Sequence, residues 1–304
     1  MKKLLFLGIA VMFVFVSVAY GEDNADEGSN WSFKGFFQQN LNQVSFTNWA
    51  AGGENSFASA SSARLELDYK KDRIKWENYA DLSYGIIKIQ DTPMRKSTDK
   101  IDLLSKASRT ISDKLSYSAI LNFLSQFDKG YKFPNDSVVV SRFMAPGYLT
   151  VALGIDYKPF EFLSIFASPA TGKFTFVLDD DLSEAGAFGV DPGKNVNPEF
   201  GALVRIEFRR EVLTNVNVNS RIVLFNNITD SDVSNRKNTD VDWLTSINMP
   251  INQYLTATVG FHLLYDHDIK IPVFEEVNGE QVQVGARPTT QFMQQFGLGL
   301  VYNF

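Results

Sequence analysis

The chain has 304 residues, a formal net charge of −6, no cysteine and an aromatic content of 13% that includes 26 phenylalanines. The missing cysteines exclude disulfides, thiolate metal centres and thiol nucleophiles, and the acidic balance argues against nucleic acid as a partner. After the first 21 residues no segment is long and apolar enough for a membrane helix, so the aromatic surplus points to lipid contact through strands.

Residues 1–21 have the three parts of a secretory signal: Lys2 and Lys3, an apolar run from Leu4 to Val18, and the small-residue site Ala19-Tyr20-Gly21 before Glu22. Residues 22–30 read as a short polar leader, too short to fold into the plug that an energised transporter needs. The barrel domain is expected over residues 31–304.

Alternation and turn residues divide this region into twelve strands. The first, Ser32–Phe46, alternates weakly, with Gln39 and Gln43 on the parity of Phe33, Phe37 and Leu41. The second, Phe57–Tyr69, sets Ala63, Leu65, Leu67 and Tyr69 against Arg64, Glu66 and Asp68. After the turn Lys70–Arg73, the third sets Ile74, Trp76, Ala80, Leu82, Tyr84 and Ile86 against Lys75, Glu77, Asp81 and Ser83. A polar loop, Gln90–Lys100, leads to the fourth strand, Ile101–Thr110, and the turn Ser112–Lys114 to the fifth, Leu115–Phe127.

A longer loop precedes the sixth strand, Leu149–Tyr157. The seventh, Phe160–Ser168, has no fixed facing, because Phe162 and Phe166 compete with Leu163 and Ile165. Pro169–Pro198 is rich in Gly, Asp and Pro and reads as a long loop that could fold inward, although Phe174–Leu178 could extend the strand. The eighth strand runs Phe200–Arg209, the ninth Val216–Leu224 and the tenth Val241–Met249, the last two separated by a loop around 226–240. The eleventh runs Leu255–Asp266, and the loop Asp266–Pro288 leads to the last, Gln291–Phe304, whose even positions end on Tyr302 and Phe304.

Short turns follow the even-numbered strands and mostly longer loops the odd-numbered ones. That segregation, with an even strand count, predicts an all-β, up-and-down antiparallel transmembrane β-barrel of about twelve strands. The aromatic terminus, with Tyr302 and Phe304, is read as a signal to the barrel-assembly machinery.

The inward faces are expected to carry Arg64, Glu66, Asp68, Lys75, Glu77, Asp81, Lys106, Arg205, Glu207, Arg209, Arg221, Asp242 and His262. Both charge signs appear, so two readings stand: a polar path for small hydrophilic solutes, or a lumen closed by mutually paired charges, with a surface-binding or structural role. A third reading is a lipid-acting enzyme. His262 falls on the inward parity with Ser246 and Asn248, but a lipid hydrolase wants its triad on the outer face, so a non-enzymatic barrel is the expectation. His267 reads as a loop residue. Asp179, Asp180, Asp181, Ser183 and Glu184 lack the spacing of a calcium loop and read as a solvated acidic segment. No cofactor is expected.

The first loop is the most distinctive stretch: Asn48, Trp49, Gly52, Gly53, Glu54 and Asn55 stand within Asn48-Trp49-Ala50-Ala51-Gly52-Gly53-Glu54-Asn55-Ser56. The paired glycines permit a tight backbone path, and Trp49 suits an interfacial anchor. Together with the preceding Gln43-Val44-Ser45, this run resembles the N-terminal signature of a Bacteroidota family, domain of unknown function 3078. The resemblance implies an exported outer-membrane-type β-barrel and brings neither substrate nor catalytic residues. The expected location is therefore the outer membrane of a Gram-negative bacterium, after loss of residues 1–21. The expected partners are membrane lipid and lipopolysaccharide, the assembly machinery and small solutes.

Overall fold

The computed structural model describes residues 29–46, 53–133, 136–277 and 280–304; the expected signal segment and residues 22–28 of the expected leader lie outside them. Twelve antiparallel strands close a barrel: β1 (Trp31–Val44), β2 (Ser56–Lys71), β3 (Ile74–Ile89), β4 (Arg95–Ser112), β5 (Leu115–Ser125), β8 (Gly147–Phe160), β9 (Leu163–Phe176), β10 (Val196–Leu213), β11 (Val216–Asn227), β12 (Asp240–Pro250), β13 (Leu255–Tyr265) and β16 (Gln291–Asn303). Each pairs with its neighbours along the chain, and β16 closes onto β1. Two hairpins stand apart from the barrel, β6 (Gly130–Tyr131) with β7 (Val139–Ser141), and β14 (Lys270–Val277) with β15 (Glu280–Pro288). No described helix is long and apolar enough to cross a membrane, which says nothing of strands.

Ladder register assigns the faces. Trp31, Phe33 and Gly35 oppose Tyr69, Leu67 and Leu65, and Tyr69 opposes Trp76 in turn, so one parity of each strand stays on the outside. That outer surface carries exposed Phe33, Phe37, Leu67, Leu103, Leu121, Val151, Leu153, Ile155, Trp243, Leu298 and Leu300. In a closed sheet the whole backbone ladder is satisfied internally, so an apolar outer band can face hydrocarbon. Rings mark both margins. At the end holding the tight turns, Trp31 lies 4.9 Å from Tyr69 and 5.8 Å from Trp76, and Phe33 lies 5.9 Å from Phe304. At the loop end Phe174 meets Phe200 at 6.1 Å and Phe261 meets Phe292 at 6.4 Å. Two such girdles flanking an apolar band are the mark of a membrane-spanning barrel.

Four expectations need correction. The expected polar loop at 90–100 is only 90–94, because β4 begins at Arg95 and its polar residues turn to a wet interior, where Lys96 Nζ meets the Asp99 carboxylate at 2.9 Å. The first strand ends at Val44 instead of Phe46. The seventh strand runs on to Phe176, with a bulge after Ser168 that shifts its parity; before the bulge the competing alternations arise because Phe162 belongs to the turn and the inward Phe166 is apolar. Ser168 and Phe166 point in and Ile165 points out; at the bulge the neighbouring strand comes so close that a Cβ on Gly154 would lie 2.1 Å from the Ala167 carbonyl oxygen. Residues 266–288 hold a hairpin as well as a loop.

The rest of the expected long loop forms a small cap at the barrel rim. Asp179 caps a short helix, Asp180–Glu184, accepting from the Leu182 N–H. Leu182, Val177 and Val190 pack on Ala145 from the loop before β8. Arg142 donates to Asp179, and this bond with the Leu182 N–H holds the Asp179 carboxyl below its ordinary range. On the loop packed against Gly189 of the cap, burial and the Asp266 charge push the Asp268 carboxyl up.

Candidate functional site

The lumen is the one large concave surface described. Its two halves differ because their inward side chains differ in size. On β4, β5, β8, β9, β10 and β11 the inward positions include Leu104, Ile120, Ala152, Phe166, Leu203 and Phe225, which pack into a buried cluster with Tyr79 and Val223 against it. Phe166 is 1% exposed. This wall carries a small hydrophobic core, whose Ile120, Ala152, Leu203 and Phe225 also border the open space beside it. On β12, β13, β16, β1 and β2 the same layer carries Ser246, Thr258, Gly260, Gln295, Gln38 and Ser62, too short to meet across the barrel. They line a cavity of about 940 Å³.

Charged networks bound the cavity. At mid-height three guanidiniums gather around Tyr79: Arg205 Nη2 and Arg221 Nη1 donate to its hydroxyl at 3.1 and 3.0 Å, and Arg64 stacks 4.3 Å above its ring. Arg64 also holds Glu66 at 2.6 Å and Asp81 at 2.8 Å, Arg205 holds Glu207 at 2.6 Å, and Arg221 holds the fully buried Asp102 at 2.9 Å. Arg209 reaches Glu66 at 3.3 Å. Towards the turns lies a smaller cavity of about 230 Å³, reached by Asp68 and Glu77, with Lys158 on Glu77 at 3.3 Å. Lys106 is buried against Asp156 at 2.7 Å, and Lys75 sits at the turn-end rim opposite Ser108. At the loop end Lys173 is enclosed by Asp240 at 2.8 Å and by Glu199 and Asp266, each at 3.3 Å. Charges buried to this degree persist only when paired.

His262 hydrogen-bonds Asp242 at 2.9 Å, whereas Ser246 accepts from Asn248, so the geometry builds a His–Asp pair in the wall and no Ser–His–Asn relay. Among the described residues no cluster of His, Asp and Glu is arranged to hold a metal ion. Of the signature loop, Asn48, Trp49 and Gly52 lie outside the described residues. Gly53 sits at φ +142°, where a side chain would strike the Phe46 ring, and Asn55 accepts the Phe46 N–H at 2.6 Å, tying the two sides of the loop together. None of residues 177–195 lines the cavity, whereas Lys173 of the expected long loop does. Tyr302 points outward, and the Phe304 backbone exchanges two hydrogen bonds with Gly35.

Sequence reasoning missed Tyr79, Asp102, Asp156, Lys173 and Glu199. Tyr79 shares the parity of Glu77 and Asp81, and Asp102 that of Lys106, so alternation alone contained both. Lys173 was out of reach, because the bulge after Ser168 reverses its parity.

Closure by twelve strands, an apolar outer band between two girdles and a polar lumen define a transmembrane β-barrel of the outer-membrane type. Within it, residues 41–131 match the family described as Protein of unknown function (DUF3078), and the Asn48–Ser56 signature falls inside that stretch. No curated protein matches the sequence. Among solved structures the chain is similar to the COG4313 outer membrane channel from Pseudomonas putida F1, at 11% identity over 93% of this chain and 99% of that one, with a TM-score of 0.41. It is also similar to the translocator domain of the autotransporter NalP from Neisseria meningitidis (10% identity, 98% and 97% covered, TM-score 0.37) and to OmpT, an outer membrane protein of Vibrio cholerae (8%, 90% and 97%, 0.32). Identities of this order say nothing about what this chain carries.

Proposed function

We propose that the protein is a passive channel for small hydrophilic solutes in the outer membrane of a Gram-negative bacterium, reached after cleavage of residues 1–21. One observation carries the reading. The 940 Å³ cavity is continuous from Lys34 and Asn303 near the turns to Lys173, Asp266 and Ile269 at the loop end. Spread over a hydrocarbon thickness of about 30 Å, that volume gives a mean cross-section of roughly 30 Å², the scale of water, partly dehydrated ions and small polar molecules. Charge on its walls is balanced, with Lys34, Arg64, Lys100, Lys173, Arg205, Arg209 and Arg221 against Glu66, Asp81, Asp99, Glu207, Asp240, Asp242 and Asp266. Balanced walls favour neither ion sign strongly.

Recording from the purified protein in planar bilayers tests this reading. Stepwise openings with weak ion selectivity are expected, and silence across the voltage range sinks it. The layer around Tyr79, which separates the two cavities, favours a second reading: a non-conducting barrel with a surface-binding or structural role. Silence in the same recording would select it. Lipopolysaccharide around the outer band and the assembly machinery at the C-terminal strand complete the set of proposed partners.

A further inference from the structure

The closing seam is much shorter than its neighbours. β1 pairs with β2 along all fourteen residues, Trp31–Val44, and β16 pairs with β13 from Gln291 to Leu300. Between β1 and β16 the ladder covers only Phe36–Asn40 against Gly299–Asn303, extended at the turn end by Gly35 and Phe304. Beyond Asn40 and Gly299 the two strands run on towards the loop end, Leu41–Val44 on one side and Gln291–Leu298 on the other. Among the described residues no ladder joins them. Every second residue there turns its N–H and C=O into the gap.

The gap lies at the depth of the apolar band, because its outer lips carry Leu41 at 61% exposure and Phe296 at 75%. Bare backbone at hydrocarbon depth is tolerated only where it borders water or protein. The lumen supplies that water: the cavity reaches the seam from inside at Gln38, Met293 and Gln295. Outside, the β1 lip presents Leu41 and the exposed amide of Gln43, and just below it, in the paired part of the seam, Gln39 donates to Ser59 Oγ at 3.0 Å and accepts from Ser61 at 2.5 Å. One lip therefore offers Leu41 and the Gln43 amide, and the other the Phe296 ring.

We propose that this upper part of the seam is a lateral portal, through which an amphipathic molecule with an acyl chain and a polar head passes between the bilayer and the lumen. The proposal rests on the membrane-spanning reading and adds a second route to the axial one.

Photo-cross-linking tests it in vesicles of phosphatidylethanolamine and phosphatidylglycerol. Benzoylphenylalanine is placed at inward-facing Gln295 beside the gap, at inward-facing Ser246 away from it, and at outward-facing Phe296. Lipid adducts at Gln295 should approach those at Phe296 and exceed those at Ser246 at least ~tenfold, since only an open wall brings acyl chains to an inward position. Adducts at Gln295 no higher than at Ser246 overturn the portal. Adducts joining two copies of the chain overturn it in favour of edge-to-edge pairing.

A staple provides the second arm. Continuing the Asn40–Gly299 register sets Asn42 opposite Gly297, and a Cβ on Gly297 has ordinary clearance, 3.5 Å from the Asn40 side chain. The chain has no cysteine of its own, so Asn42→Cys with Gly297→Cys gives one defined disulfide. Oxidation should abolish the Gln295 lipid adducts and reduction restore them; adducts that survive the staple overturn the proposal. Parallel recording separates the two readings. Adducts without conductance sink the axial channel alone, and conductance without adducts sinks the portal alone.

Discussion

The two halves of the lumen share a wall construction and differ in everything inside it. From β4 to β11 the inward positions hold Leu104, Ile120, Phe166, Leu203 and Phe225, and the interior is a packed core. From β12 round to β2 the middle layer holds Ser246, Thr258, Gly260, Gln295, Gln38 and Ser62, between charged groups such as Asp242, His262 and Arg64, and the space in front of them is open. The difference teaches that a barrel of this size can divide its work: one side resists deformation through packing, while the other leaves a path through the wall's own curvature. Buried pairs such as Lys106–Asp156 belong to the packed side, where they also neutralise the wall.

If that division is right, substitutions should separate stability from conductance. Phe166→Ala should cost about 3–5 kcal/mol by leaving a cavity in the core, measured by urea unfolding in detergent micelles, with conductance nearly unchanged. Lys173→Met strips the shared counter-charge from Glu199, Asp240 and Asp266 and should destabilise by about 3–5 kcal/mol; a change within experimental error would mean that the loop-end cage contributes nothing to holding the wall. On the open side the order reverses. Ser246→Trp should cut single-channel conductance at least ~tenfold by narrowing the path, while unfolding stays within about 1 kcal/mol of the parent. Conductance that survives this substitution would move the path to the other half.

Lys100→Glu sharpens the electrostatic side of the comparison. Lys100 lines the cavity and meets Asp102 at 3.3 Å, so reversing its charge should shift the reversal potential in a salt gradient towards cation preference. The smallest effect is expected at the rim cap. The Asp179 carboxyl is held low by Arg142, so its contribution is present above the ordinary Asp pKa of about 4 and is lost as pH falls through the lower folded value. Because Arg142 is half-exposed, that contribution is at most about 1 kcal/mol. The protection factor of the Leu182 amide, its exchange rate corrected for the intrinsic pH dependence, should therefore fall on acidification, and Asp179→Asn should remove most of that change.

Much of the wall was legible in the sequence. The period-two alternation at Arg64–Tyr69 or Leu298–Phe304 needs only knowledge that successive strand residues face opposite ways. It failed where the backbone breaks its own period: at the bulge after Ser168, which reversed the parity of Lys173, and at Arg95–Lys100, whose polarity looked like a loop but belongs to a strand with a wet inner face. The assumption that inward means polar also failed on the β4–β11 side, because Phe166 and Phe225 pack against each other's neighbours across the interior instead of meeting lipid.

The sequence by itself determined the barrel, its twelve strands and, for all but the seventh and the weakly alternating first, which side meets lipid, because those follow from local alternation and from turn chemistry. Only the tertiary structure decided that a hydrophobic core packs on one wall of the interior, that Tyr79 gathers Arg64 from the neighbouring strand and Arg205 and Arg221 from distant ones, and that the last strand leaves part of its edge unpaired. Those features depend on side-chain volumes meeting across the lumen and on the register at closure, which bring together residues more than a hundred positions apart, such as Tyr79 and Arg221.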